Sequence, residues 1–420
     1  MTLRKKILAG FILACLGTPS AFALDSVVGE KDLAKQDAPV QKTSTPVFKG
    51  STPPAAPEHA KADSTSDKEK NVGYHNGFFI KTSDGNYKLV IGGYFQFDLQ
   101  FERAESENEI GFRIRRARLA FSGNLFNPKF TYKIQLDFAK FKSELLLDYY
   151  VNYDILSSPE YLQARAGQFT IPYIRQQQIS SSEQQFIERS LASNEFINAD
   201  DQDTDGDGKP DKLVKNGRDI GVMLHGKPFS KKMEYYAGIF NGNGTNTLNL
   251  NNDFLYAGRL VYNVLGDPGY SYEGDWDEHE TPVMALGASG NYNVRTISKD
   301  KVAQAGGEGV IKWKGLAAAG EFFYRNTKPG DTLLSTMNDF GYYAQLGYFV
   351  IPKRFEVGTR ASQVFLAGPK NDMGEFELVL NGFLFGKNLK VQTDYSYLPT
   401  NTKEGIQNNQ RWRLRLQTKF

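Results

Sequence analysis

The chain has 420 residues, and its 50 basic and 48 acidic side chains leave a formal net charge of +2. No uninterrupted apolar run reaches the roughly 18–20 residues of a membrane-spanning helix, which excludes a helical membrane protein. The mean hydropathy of −0.47 does not exclude the membrane, because strands of a membrane barrel expose only every second side chain to lipid.

The first 23 residues have the three parts of a secretory signal peptide. A basic start, Arg4 to Lys6, precedes the apolar stretch 7–17, and Ala21-Phe22-Ala23 forms a small-x-small cleavage site. We therefore predict a signal peptide over residues 1–23 and export from the cytoplasm. The one cysteine, Cys15, lies in the apolar stretch, and a lipoprotein signal is the less favoured alternative. Cleavage after residue 23 leaves no cysteine, which excludes disulfides and thiol catalysis.

Residues 24–73 differ sharply in composition from the rest of the chain. Five prolines lie among Ala, Lys, Ser, Thr and Asp, with few large apolar residues. Such a segment buries too little surface to offset the entropy of ordering it, and we predict a disordered periplasmic linker. From residue 74 onward, segments of alternating polarity are separated by turn residues. This pattern predicts an outer-membrane β-barrel domain over residues 74–420.

The alternation is clearest in three strands. Segments 129–141 and 144–156 each place aromatic and aliphatic side chains on one face and polar or charged side chains on the other. The last ten residues, 411–420, alternate Trp, Leu and Phe with Arg and Lys, and they end on Phe420. A buried core would not accept this basic face, whereas lipid on one side and a water-filled lumen on the other would. An edge strand of a soluble sandwich is the alternative for this stretch.

Connections of alternating length predict the topology. Short turns alternate with longer loops rich in Gly, Asn or Asp, as in barrels with short periplasmic turns and long outer loops. The segment 266–280 is an exception, because it is long where a short turn is expected. The number of segments predicts an all-β fold, a transmembrane antiparallel β-barrel of about sixteen strands that is wide enough for an aqueous channel.

One predicted strand changes phase in its middle. Phe112 and Ile114 share one face, whereas the apolar residues from Ala117 onward fall on the other. A β-bulge at Arg115-Arg116 would restore the pattern and aim arginines into the lumen. Without the bulge, Arg116 would face lipid at a cost of a few kcal/mol.

An ordered set of motifs resembles one known family. Its residues are Gly92-Gly93-Tyr94-Phe95-Gln96-Phe97-Asp98, Arg113-Ile114-Arg115-Arg116-Ala117-Arg118-Leu119, Gln135-Leu136-Asp137-Phe138, Arg165-Ala166-Gly167-Gln168-Phe169-Thr170-Ile171-Pro172 and Phe186-Ile187-Glu188-Arg189. Together they resemble the phosphate-selective porin O and P family, most densely over residues 74–190. The resemblance implies a trimeric, sixteen-stranded outer-membrane channel that prefers anions, often phosphate. A lysine-rich constriction typical of phosphate-selective members does not align here, so phosphate specificity stays open.

Basic residues on the polar faces form the predicted anion pathway. A lumen with excess positive charge concentrates anions and repels cations. For any single arginine, pairing with an inward-facing acid is an equally good explanation. The predicted pathway residues are Arg113, Arg115, Arg118, Lys133, Arg165, Arg411, Arg413 and Arg415.

The connection 171–217 is long enough to be functional, and we predict that its first part folds into the pore as the constriction. Its later part, 201–211, resembles a calcium-binding loop, with carboxylates at positions 1, 3, 5 and 9 and glycine at position 6. Val214 replaces the usual Glu at position 12, and a solvated acidic turn is the alternative. The predicted Ca²⁺ ligands are Asp203, Asp205, Asp207, Lys209 and Asp211.

These features predict a passive channel for small anions in the bacterial outer membrane, expected to form a homotrimer and to bind no nucleic acid. A general non-specific porin is the nearest alternative. An outer-membrane hydrolase is disfavoured because His75, His225 and His279 show no nucleophile or metal spacing and Gly-x-Ser-x-Gly is absent. A secreted sugar-binding β-protein would not explain Phe420 and the basic final strand. Apart from calcium, no cofactor is expected.

Overall fold

β-Strands make up most of the chain that the structure describes. The computed structural model describes residues 71–420, except for 105–106, 141–144, 157–159, 203–206, 208, 211, 216, 369–371 and 403–404. The predicted signal peptide and nearly all of the predicted linker lie outside the described residues, and the first strand starts at Val72. In the described part of the chain, no helix is long and apolar enough to cross a membrane.

Sixteen long antiparallel strands form a closed barrel, which confirms the predicted fold class. The last strand pairs with the first barrel strand, from Gln410↔Arg103 to Lys419↔Tyr94, and this pairing closes the barrel. With strands numbered in chain order, the barrel consists of β3 (Lys88–Arg103), β4 (Asn108–Asn124), β5 (Phe130–Asp137), β6 (Leu146–Asp154), β7 (Gln163–Thr170), β10 (Arg218–Gly226), β11 (Met233–Phe240), β12 (Leu255–Asn263), β13 (Val283–Val294), β14 (Lys301–Trp313), β15 (Leu316–Lys328), β16 (Met337–Ile351), β17 (Phe355–Phe365), β18 (Asp372–Phe385), β19 (Leu389–Thr402) and β20 (Gly405–Lys419).

A short N-terminal hairpin, β1 (Val72–Tyr74) and β2 (Phe78–Lys81), completes the seam of the barrel. β2 pairs with Lys88–Ile91 of β3, beyond the end of β20. Next to it, the backbones of Phe420 and Gly93 exchange two hydrogen bonds, at 2.9 and 3.0 Å. The hairpin, the first barrel strand and the last therefore form one continuous sheet.

The wall is lower on one side of the barrel than on the other. β5 ends at Asp137, whereas the predicted strand ran over 129–141. The Asp137 carboxylate accepts hydrogen bonds from the N–H groups of Ala117 and Ala139, at 3.1 and 3.2 Å, and the 3-10 helix Phe138–Lys140 follows. β6 is likewise shorter than the predicted 144–156. β5 to β7 and β10 to β12 have eight or nine residues, whereas the other barrel strands have eleven to seventeen.

The described residues of the connection 171–217 place much of it inside the barrel. It contains two short helices, Arg175–Gln178 and Leu191–Glu195, and a hairpin of β8 (Ala199–Gln202) and β9 (Lys212–Lys215). Its apolar side chains pack against inward-facing side chains of the wall and bury a hydrophobic core within the lumen. The buried residues of that core are Phe169, Ile171, Tyr173, Ile174, Ala192, Phe196, Met223, Phe240, Leu255, Ala257, Phe323, Tyr343 and Val364.

Candidate anion site in the lumen

A β-bulge in β4 brings a run of arginines to the lumen. Gln96 of β3 pairs with Arg116 and the next residue of β3 pairs with Ile114, so that Arg115 is the extra residue. This is the bulge predicted at Arg115-Arg116. All four arginines between 113 and 118 bond to carboxylates on the lumenal side. Arg116, which the predicted pathway omits, is therefore a lumenal residue.

Glu188, on the infolded connection, accepts hydrogen bonds from three arginines. Arg115 binds both carboxylate oxygens, at 2.7 and 3.0 Å. Arg116 also binds both, at 3.2 and 2.8 Å, and Arg415 adds one bond at 3.0 Å. Burial by itself would raise the pKa of this carboxyl, but the Arg116, Arg115 and Arg415 charges hold its pKa well below the usual range. Glu188 is therefore ionised at neutral pH.

Two arginines of β20 are buried in pairs with acids of the wall. Arg415 binds both oxygens of Asp98, at 2.7 and 2.8 Å. Arg413 binds Asp394 at 2.9 Å and Glu377 at 3.0 Å. Their side chains are at most 2% exposed. For these two residues, pairing with inward-facing acids describes the observed contacts, and the acids neutralise much of their charge.

A cavity of about 620 Å³ lies between the infolded connection and the wall formed by β3, β4 and β18 to β20. Arg113, Arg115 and Arg411 expose 41%, 30% and 19% of their side chains, more than the buried pairs of β20. Six arginines and three glutamates line the cavity, an excess of three positive charges among the lining residues, while Asp98, Asp394 and Glu377, which do not line it, pair with Arg113 and Arg413. The charged lining residues are Arg113, Arg115, Arg116, Arg189, Arg411, Arg413, Glu102, Glu188 and Glu375.

Four other predicted residues lie outside the lining of this cavity: the buried Arg415 of β20, and three residues on β4, β5 and β7. Arg118 binds Asp137 at 2.9 Å, and Lys133 binds Asp148 at 3.0 Å. Arg165 lies over an aromatic ring of β6, with 4.3 Å between its guanidinium carbon and the ring centre. The predicted residues therefore divide into a group at or next to the cavity and a group farther along β4, β5 and β7.

Comparisons with known proteins agree with this architecture. A family model described as phosphate-selective porin O and P matches residues 89–417. The chain belongs to this porin family. Family and fold together make the protein an outer-membrane channel rather than an enzyme. No curated protein sequence matches the chain.

Two of the solved structures similar to this porin are named as a porin and a channel. An anion-selective porin from Comamonas acidovorans has a TM-score of 0.56 and 10% identity, and the match covers 79% of this chain and 99% of that chain. The outer membrane channel DcaP of Acinetobacter baumannii has a TM-score of 0.51 and 11% identity, covering 79% and 97%. At such identities the likeness shows the fold.

The segment 266–280, long where the sequence predicts a short turn, also enters the lumen of the porin. Trp276 packs with a buried tyrosine and two inward-facing phenylalanines. Glu273 accepts hydrogen bonds from the Gln176 side chain at 2.9 Å and from the Gln185 N–H at 3.0 Å. The extra length of segment 266–280 therefore lets it contact the infolded connection inside the barrel.

The predicted calcium loop falls largely outside the described residues. Asp203, Asp205 and Asp211 lie outside them, and Asp207 and Lys209 lie within them. The Asp207 carboxylate accepts a hydrogen bond from the Lys209 N–H at 2.8 Å, a contact within the turn. Among the residues that are described, no group of three or more His, Cys, Asp or Glu side chains is placed to hold a metal ion. Calcium binding stays a prediction.

Glu188, the centre of the arginine cluster, is not among the predicted pathway residues. The residue is 72 positions from Arg116 in the chain, so no periodicity links the two. The available signals are its place in the family-like motif Phe186-Ile187-Glu188-Arg189 and the stretch rich in Gln and Ser that precedes this motif. Arg116 was missed for a different reason, because its direction depends on the bulge.

Proposed function

We propose that this porin is a passive diffusion channel for small anions and that phosphate is a preferred permeant ion. The observation that carries the proposal is the cavity lined by six arginines and three glutamates. Excess positive charge in a confined channel concentrates anions and repels cations. Guanidinium groups also bind phosphate oxygens in pairs, in the way that Arg115 and Arg116 bind the two oxygens of Glu188.

The proposed path follows the side of the lumen formed by β3 to β7. The wall residues of the hydrophobic core lie mainly on β10 to β12 and β15 to β17, and segment 266–280 packs against β16 and β18. An anion entering the cavity would meet Arg113 and Arg411 and then pass Arg118 on β4 and Lys133 on β5. Each of these residues is paired with an acid at 2.9 to 3.3 Å, and the carboxylate competes with the anion, so that binding stays weak enough for release.

The test is the zero-current reversal potential of the purified porin in planar bilayers under a KCl gradient, followed by titration with phosphate. We expect the sign of the reversal potential to show that anions permeate more readily than cations. We also expect phosphate to block the chloride current in a concentration-dependent way. The double variant Arg113→Gln/Arg411→Gln is expected to move reversal toward zero and weaken the block. Lys231→Gln, which changes a 57% exposed lysine on a short turn, is the matched control.

The outcomes separate the alternatives. Anion reversal without phosphate block would make the protein a general anion porin. Reversal near zero in the wild type would support a non-specific porin, and cation preference would contradict the arginine argument altogether.

We also propose that the porin is a homotrimer, the number that the family resemblance implies. Among the described residues, pairing between β4 and β5 starts at Arg118↔Asp137, so 108–117 pair with a strand on one side only. Ile110 and Phe112 on this part of β4 are 74% and 72% exposed. An open strand edge next to an apolar face is a surface that a second subunit would cover.

Light scattering coupled to size-exclusion chromatography in detergent tests the trimer. The expected protein mass is that of three chains, and Phe112→Ser is expected to lower it. A wild-type mass of one chain would contradict the trimer while leaving the channel proposal intact.

A further inference from the structure

We propose that Glu188 is a tethered counter-anion that sets the affinity of the channel for permeant oxyanions. Its carboxylate holds, between Arg115 and Arg116, the position in which a phosphate would bind. The inference rests on the proposed anion-channel function, and it adds the residue that limits how tightly the anion is held.

The contacts of Glu188 are those of a bound oxyanion. Its two oxygens accept five hydrogen bonds from Arg115, Arg116 and Arg415. Two of these guanidiniums bind both oxygens, the arrangement in which arginine recognises carboxylate and phosphate groups. The side chain is 16% exposed and lines the 620 Å³ cavity, so an entering anion reaches the same arginines.

The backbone around Glu188 is anchored independently of its carboxylate. The carbonyl oxygen of Ile187 accepts a hydrogen bond from Arg415, and that of Glu188 accepts one from Arg360 at 3.0 Å. Shortly after, the N–H of Ala192 donates to a wall serine at 2.9 Å. The connection therefore holds its place through main-chain contacts, and the carboxylate charge is left to act on the arginines.

The local charge balance shows what the carboxylate does. Arg113, Arg115, Arg116 and Arg415 supply four positive charges, while Asp98 and Glu188 supply two negative ones, which leaves a charge of +2. Without Glu188 the same cluster would carry +3. A channel must bind its ion weakly enough to release it, so a built-in competitor shortens the time an anion stays.

An anion with several oxygens exchanges most readily with Glu188. Such an anion offers Arg115 and Arg116 the paired acceptors that the carboxylate gives up, whereas chloride offers one centre. No bond is made or broken covalently, and the exchange replaces one set of charge-assisted hydrogen bonds by another. Glu188 is in this sense a specificity-determining residue of the cavity.

The test compares Glu188→Gln with Glu188→Asp in the full-length porin in planar bilayers. Glutamine keeps the shape and removes the charge. We expect the phosphate concentration that halves the chloride current to fall about tenfold and reversal to move further in the anion direction. Aspartate keeps the charge, and we expect values close to the wild type. Glu160→Gln removes one negative charge from a 45% exposed turn residue and is the matched control.

The wild-type measurement distinguishes failure of the anion-channel proposal from failure of the inference about Glu188. A wild type without anion preference overturns both the anion-channel proposal and this inference. A wild type that prefers anions, together with unchanged block and reversal in Glu188→Gln, overturns the inference alone. If phosphate does not block the wild type, the inference is tested by the reversal potential alone, which must shift in the anion direction in Glu188→Gln. Equal changes in Glu188→Gln and Glu188→Asp would assign Glu188 a purely structural role and would also overturn it.

Discussion

Replacing Arg415 with methionine is expected to release the infolded connection from the wall. Arg415 is fully buried and binds both oxygens of Asp98, one oxygen of Glu188 and the carbonyl oxygen of Ile187. Methionine has similar length but no charge and no donor, so two carboxylates lose a buried partner. Breaking a buried pair in this way costs about 3–5 kcal/mol.

This cost lowers the free energy needed to open the connection locally, away from the wall. A loss of about 3 kcal/mol raises the population of an opened state about a hundredfold. Hydrogen–deuterium exchange of the porin in detergent micelles measures it directly at the amides of Gln185 and Ala192, which donate to Glu273 and Ser362. We expect these amides to exchange about a hundredfold faster, with a smaller change in Arg415→Lys.

The control for this experiment is Lys231→Met. It removes one positive charge from a side chain that is 57% exposed and pairs with Glu160 at 3.6 Å. An exposed pair contributes little to stability, so exchange in the lumen should not change. If both amides exchange in Arg415→Met at the same rate as in the wild type, this buried arginine does not anchor the connection.

Three further predictions concern pH, packing and calcium. Because the folded-state pKa of Glu188 is lowered, its stabilising contribution is complete above the unfolded pKa of about 4.3 and is lost only as pH falls through the lowered value. The difference in reversal potential between the wild type and Glu188→Gln should therefore be constant from pH 8 to pH 5, and a difference that begins to shrink near pH 6 would contradict this. Trp276→Ala should lower the packing free energy by about 2–3 kcal/mol, less than at a fully buried site. It should also raise the single-channel conductance, because segment 266–280 becomes looser. Unchanged conductance would show that the segment does not restrict the pore. Calorimetric titration with Ca²⁺ should show one site per chain that Asp205→Asn removes, and absence of binding to the wild type would favour a solvated acidic turn.

The barrel and the bulge could be predicted from the order of polar and apolar residues along the chain. Alternation of polar and apolar residues is a local property, because each strand residue faces either lipid or lumen. The closing strand β20 and the phase change at Arg115-Arg116 could both be predicted on this ground, and both are present. Strand ends were predicted less well, since Asp137 ends β5 through hydrogen bonds to the backbone that no periodicity shows.

Which lumenal charges meet depends on the folded barrel and could not be predicted from the sequence. Glu188 reaches Arg115, Arg116 and Arg415 because the infolded connection packs its apolar side chains into a core within the barrel. Segment 266–280 meets the same connection from a distant part of the chain. Alternation predicts whether a strand side chain faces lipid or lumen. Which charged side chains meet across the lumen depends on how the barrel closes and how the infolded connection packs inside it, and both bring together residues that are far apart in sequence.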